Sequence, residues 1–197
     1  LFTNIKDTVS SADLALVNQE VIIGGSELGV SGYPCFNAPY ELGDALDAAG
    51  FDVILHATNH ALDKGEAGIQ NCLTYWEQHP DIAVLGISGD SSSGSSGDDS
   101  SGFGAVGDDT YSIAIGSGWG QQQGRVFFYE QDGIRIAILN YTYGTNGIPM
   151  PASMPGAVNL LEEETVQADL ALAEELADFT IVCPHWGTEY QLVPSAE

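Results

Sequence analysis

The chain has 197 residues, with 4 lysines and arginines against 28 aspartates and glutamates and a formal charge of −24. Hydrophobic residues make up 44%, which excludes a wholly disordered acidic tail, and no apolar run approaches the roughly 18 residues of a membrane span. Lys6, Lys64, Arg125 and Arg135 cannot neutralise a row of phosphates, so no nucleic-acid partner is expected, and metal cations are the natural partners of such a surface.

In chain order, Asp13 to Val17 is a short apolar run that reads as a buried strand. Asn37-Ala38-Pro39 reads as a helix start with Asn37 as its cap. Leu42, Ala45, Leu46 and Ala49 follow at helical spacing, and Gly50 closes the helix. Phe51 to Leu55 is the next strand. Glu66 to Gln78 is a second helix, with Ile69, Cys72, Leu73 and Trp76 on one stripe, and Ile82 to Leu85 is another strand. This alternation predicts a parallel sheet with helices packed on it. Ser91 to Gly102 has no apolar residue and reads as a flexible surface loop within a single domain spanning 1–197.

Tyr111 to Ile115, Arg125 to Glu130 and Ile134 to Leu139 resume the strand pattern. Asp132-Gly133 between the last two is a hairpin signal, because both residues tolerate positive φ. That places one antiparallel pair in an otherwise parallel sheet or in a second sheet. A helix over about Glu162 to Ala177 carries Val166, Leu170, Ala173 and Ala177 on one face, with three glutamates at its positive N-terminus. Phe179 to Cys183 is a buried strand, and Ser195 reads as the cap of a further helix. Cys35, Cys72 and Cys183 lack metal-knuckle spacing and read as buried small thiols.

Three predicted strands are followed at once by polar residues. The first gives Asn18 and Glu20, the second His56, Asn59, His60 and Asp63, and the third His185 and Glu189. Carboxyl ends of parallel strands lie side by side and form ligand sites, so Asn18, Asn59 and His185 are expected on one sheet edge. Asn, His and carboxylate together suit a divalent ion such as manganese, zinc or iron. Each has a structural alternative. Asn59 could occupy a left-handed turn, His60 could be satisfied by backbone, and Glu20 could be one more solvated acid. His56 reads as structural, His79 as exposed, and Trp186 first as a packing anchor, with a substrate platform as the alternative.

The segment from Gly50 to Ile69, containing Thr58-Asn59-His60-Ala61-Leu62-Asp63, resembles the central motif of the CapA family of poly-γ-glutamate capsule-synthesis proteins. Val17-Asn18-Gln19-Glu20 and His185-Trp186-Gly187-Thr188-Glu189-Tyr190 resemble two more of its motifs. The resemblance implies a branch of the calcineurin-like metallophosphoesterases: a four-layer α/β sandwich, two mixed sheets between helices, here incomplete at both ends. It implies metal ligation by Asn59, His185 and Glu20, with Asn18 as a further candidate. His60 would be the catalytic acid with Asp63 orienting it, and Trp186 and Glu189 would contact substrate. It further implies divalent manganese, zinc or iron, two ions in a complete domain. The partners implied are a phosphoester or polyanionic polymer and capsule-synthesis membrane proteins. The location implied is extracellular or at the cell surface, anchored by a segment outside this chain. Non-catalytic polymer assembly or export is the alternative role.

Overall fold

Short strands that are apolar at every position have no polar face to give to water, so they demand cover on both sides. This computed structural model describes residues 1–89, 110–115, 118–188, 190, 191 and 193, with backbone alone over 110–119. The expected loop at 91–102 and the helix start at Ser195 lie outside the described residues. The elements are α1 (Lys6–Val9), β1 (Leu16–Asn18), α2 (Tyr40–Ala49), β2 (Val53–Leu55), α3 (Gly65–Trp76), β3 (Ala83–Leu85) and β4 (Thr110–Ile115). They continue with β5 (Gly118–Gln123), β6 (Val126–Gln131), β7 (Ile134–Thr142), α4 (Glu163–Leu176) and β8 (Phe179–His185).

Two sheets form. The first runs β1-β2-β3 and is parallel throughout; the second runs β4-β5-β6-β7-β8. In the second sheet β4 to β7 are antiparallel neighbours and β8 lies parallel to β7. So only the second sheet is mixed, where two mixed sheets were expected. The β6–β7 connection has Asp132 at φ 54° and Gly133 at φ 78°, the two left-handed residues that an Asp-Gly hairpin requires.

The period-2 alternation of strands then builds the layers. Ile54 packs with Leu46, Ile69, Cys72 and Trp76 of α2 and α3. Its neighbours Val53 and Leu55 point the other way, onto Phe127, Tyr129 and Ile138 of the second sheet. On that sheet's far face Val126, Phe128, Ala137, Leu139 and Tyr141 meet Ala173 of α4. The order is therefore helices, sheet, sheet, helix. Each fully buried Ile, Leu or Phe in these seams contributes roughly 1.5–3 kcal/mol.

Local details differ from the sequence reading. The cap of α2 is Pro39, not Asn37. The Asn37 side chain is buried instead among the loop glycines, accepting from Gly24 N at 2.9 Å and donating to Gly25 O at 2.8 Å. Gly50 does close α2, at φ 91°. Cys35 is exposed, so the buried-thiol reading holds fully only for Cys72. His79 is not simply exposed: it bonds Asp47 at 2.9 Å and packs on the rings of Tyr75 and Trp76.

His56 is structural, as expected. It follows β2, and its Nε2 accepts a hydrogen bond from Trp76 Nε1 at 3.2 Å. Burial holds its pKa down to about 4 from 6.5, against an opposing backbone hydrogen bond at Gln19. Between these values the unfolded chain takes up a proton that the folded chain refuses, so stability rises with pH across that window. Acidification from pH 7 to 4 is expected to cost up to about 3 kcal/mol through this ring. Urea unfolding at several pH values checks it. His56→Gln, which keeps an acceptor for Trp76, should flatten the dependence, and an unchanged slope would contradict the assignment.

Candidate functional site

The site grows from the points where strands end. β1 and β2 pair in register through Asn18 and Leu55, and Gln19 N continues the ladder to Leu55 O at 2.9 Å. Thr58 Oγ1 then donates to Glu20 O at 2.7 Å, which locks the two loops leaving the first sheet. In the second sheet, Thr142 of β7 pairs with His185 of β8. One buried side chain ties the two sheets together here. Asn140 Oδ1 accepts from Ala57 N at 2.8 Å, and its Nδ2 donates to Cys183 O at 2.9 Å. Gly86, at φ 92°, permits this approach, since a Cβ there would collide with Asn140 Oδ1 and Ala57 N.

This tie brings Asn59 and His185 together across 126 positions of sequence. His185 Nε2 lies 2.9 Å from Asn59 Oδ1 and 3.9 Å from Glu20 Oε1. Asn59 Nδ2 donates to Asn146 Oδ1 at 3.0 Å. His60 Nδ1 meets Asp63 Oδ2 at 2.7 Å, and the same carboxylate oxygen accepts from Phe36 N at 2.7 Å. With Nδ1–H given to Asp63, Nε2 is the ring nitrogen left for chemistry. Phe36 stands edge-on to His60 at 4.7 Å, and Tyr143 lies nearly parallel to the His185 ring at 6.4 Å. Burial lowers the His185 pKa; neighbouring His60 adds to that, and Glu20 opposes it.

Asn59, His60, Asp63, His185 and Glu20 thus share one locality. Asn18 is exposed at the end of β1 and is not bonded into this cluster. Glu189 lies outside the described residues. The expectation of a single sheet edge is corrected: Asn59 follows the first sheet and His185 ends a strand of the second, and they meet at the seam. Trp186 is 66% exposed, so the packing-anchor reading is also corrected. The left-handed turn residue is Asn146, at φ 52°, not Asn59. Asn146 and Asn140 were not singled out from sequence. The signals were an Asn-Gly turn pair and a lone amide directly after an apolar strand.

The charge pattern is one-sided. Arg125 is engaged by Asp169 and Arg135 by Gln121, Lys6 lies in α1, and none of the four cations is bonded to the cluster. Among the described residues no three His, Cys, Asp or Glu side chains form a metal-holding group. The cluster instead brings together one amide oxygen, that of Asn59, one carboxylate and one imidazole.

The chain matches the family profile described as Bacterial capsule synthesis protein PGA_cap over residues 1–96 and 114–197. No curated protein matches it.

Proposed function

The chain belongs to the bacterial capsule synthesis protein family, and from that premise we propose that its strand-end cluster is a metal-dependent phosphoesterase-type site in a metallophosphoesterase-like sandwich. The observation that carries the proposal is the convergence of Asn59 Oδ1, His185 Nε2 and Glu20 Oε1, beside a His60–Asp63 pair, with no lysine or arginine among the described residues salt-bridged to Glu20 or Asp63. Two oxygens and an imidazole nitrogen fit manganese, zinc or iron, and three protein donors leave positions open for substrate. On a chain at −24, an anionic ester meets repulsion unless a bound cation offsets it.

In this reading Glu20, Asn59 and His185 would hold one of two ions. When bound, a divalent ion polarises a phosphoryl oxygen and makes water a better nucleophile at neutral pH. His60 Nε2 gives a proton to the departing oxygen, and Asp63 holds the Nδ1 proton and stabilises the imidazolium form. Phe36 and Tyr143 limit water around the two imidazoles, and exposed Trp186 offers a substrate surface. The same charge argues against broad binding of a polyanionic polymer. The proposal extends to location: an extracellular or cell-surface protein acting beside capsule-synthesis membrane proteins, supported by family membership alone.

The test is equilibrium dialysis with manganese, then with inorganic phosphate. Stoichiometric manganese is expected in the wild type and is lost in His185→Ala and Asn59→Ala. Phosphate should bind only to the manganese-loaded protein. Full manganese in both variants, or phosphate binding without metal, would overturn the assignment. Metal binding with no ester cleaved would favour the non-catalytic assembly role.

A further inference from the structure

We propose that Asn146 is a positioning residue that fixes the orientation of the Asn59 amide, so that the carbonyl oxygen faces His185 and any cation held there. A side-chain amide has two ends of nearly equal size, one accepting and one donating, and only its partners decide which end points where. Asn146 presents its own oxygen to Asn59 Nδ2 at 3.0 Å, which leaves Asn59 Oδ1 toward His185 Nε2 at 2.9 Å. Rotating the Asn59 amide would set two oxygens against each other at Asn146.

The other end of the Asn146 amide stands beside the acid–base pair. Its Nδ2 lies 3.4 Å from His60 Nδ1, the nitrogen that Asp63 Oδ2 engages at 2.7 Å. The order of control therefore runs from Asn146 to Asn59 and from Asn59 to His185.

A purely local role has to be separated from this one. Ile148 N donates to Thr145 O at 2.9 Å, and Asn146 and Gly147 have φ of 52° and 76°. That is a turn with two left-handed residues, which Asn-Gly suits for backbone reasons alone. Asn146→Gly keeps the turn's conformational preference and removes the amide.

The affinity arm of the test rests on the metal reading above; the spectroscopic arm does not. In metal-free protein, the Asn59 side-chain amide protons are followed by nitrogen-edited NMR. One should be shifted and slow to exchange in the wild type and in Asn146→Asp, which keeps an acceptor, and both should be ordinary in Asn146→Gly. Manganese affinity should fall about 10–100-fold in Asn146→Gly and recover most of the loss in Asn146→Asp. In an Asn59→Asp background, where both ends are oxygen, Asn146→Gly should have little effect. Wild-type amide signals in Asn146→Gly would overturn the inference, as would an equal affinity loss in the Asn59→Asp background or a large fall in Tm for Asn146→Gly. If the wild type binds no manganese, the metal reading fails and the amide signals alone decide the role of Asn146.

Discussion

Replacing His60 with alanine is expected to lower turnover of a chromogenic phosphate ester by about 10²–10⁴-fold, the usual worth of a positioned acid, with bound manganese unchanged. The split follows from geometry. His60 is held by Asp63 at 2.7 Å and flanked by Phe36, whereas the proposed ligands bond one another through Asn59 and His185 at 2.9 Å. The alanine removes a proton donor without removing a ligand. Asp63→Asn should give a smaller loss, about 10–100-fold, because the ring keeps a hydrogen-bonding neighbour but loses the charge behind its imidazolium form. Steady-state kinetics with metal analysis on the same samples reads both effects. A His60→Ala enzyme with unchanged turnover would remove His60 from the chemistry. One that loses its metal would make it a ligand.

The largest loss of stability outside the apolar core is expected at Asn140. The side chain is 1% exposed and uses both ends, Oδ1 for Ala57 N and Nδ2 for Cys183 O. Asn140→Ala strands a buried donor and a buried acceptor at once. At about 1–3 kcal/mol for each orphaned group, shared with whatever relaxation the seam allows, the cost is about 2–4 kcal/mol. For a chain of this size that is a fall in Tm of about 10 °C. Manganese affinity should fall with it, since Ala57 and Cys183 each lie two residues before a proposed ligand. Calorimetry on the variant checks the first effect and dialysis the second. A loss below about 0.5 kcal/mol would place Asn140 among surface substitutions, contrary to its burial.

The comparison of sequence with structure is uneven for physical reasons. Asn59, His60 and Asp63 are legible as loop residues after the apolar run that ends at Leu55, and His185 as the polar end of a mostly apolar strand; strand ends are where loops carry chemistry. Whether those strands belonged to one sheet or two was not legible. Val53 to Leu55 is apolar at every position and Phe179 to Cys183 at all but Thr180, and such a run does not say what covers each face. β5 escaped notice because Gly118 to Gln123 combines two glycines with three glutamines and shows no alternation; its neighbours hold it in register. Asn37 resembled a helix cap by residue type and proximity to Pro39, but the loop glycines offered it more hydrogen bonds than the helix end did. Trp186 reads from sequence as a packing anchor because tryptophan usually is one; its neighbour His185 closes a strand at a sheet edge, with little left to pack on. Asn140 and Asn146 act over 83 and 87 positions of sequence, and no local pattern encodes a contact of that separation.

The Asn146-Gly147 turn has a chemical lifetime as well as a shape. An asparagine followed by glycine is the pair most prone to lose side-chain ammonia, because an unhindered glycine nitrogen can attack the amide carbon and close a succinimide ring. Hydrolysis of that ring yields aspartate or its β-linked isomer. Here the amide is gripped by Asn59, and the backbone is pinned by the Thr145–Ile148 hydrogen bond, both of which slow the closure. Loosening either contact accelerates it, so the rate of ammonia loss at residue 146 reports how tightly the site is assembled. The two products are not equivalent: the α-linked aspartate retains an acceptor for Asn59, while the β-linked isomer lengthens the main chain and cannot keep the turn. Protein ageing in storage would thus drift toward two products differing in cation affinity, both separable from the parent by charge and told apart from each other by peptide mapping across residues 145–148.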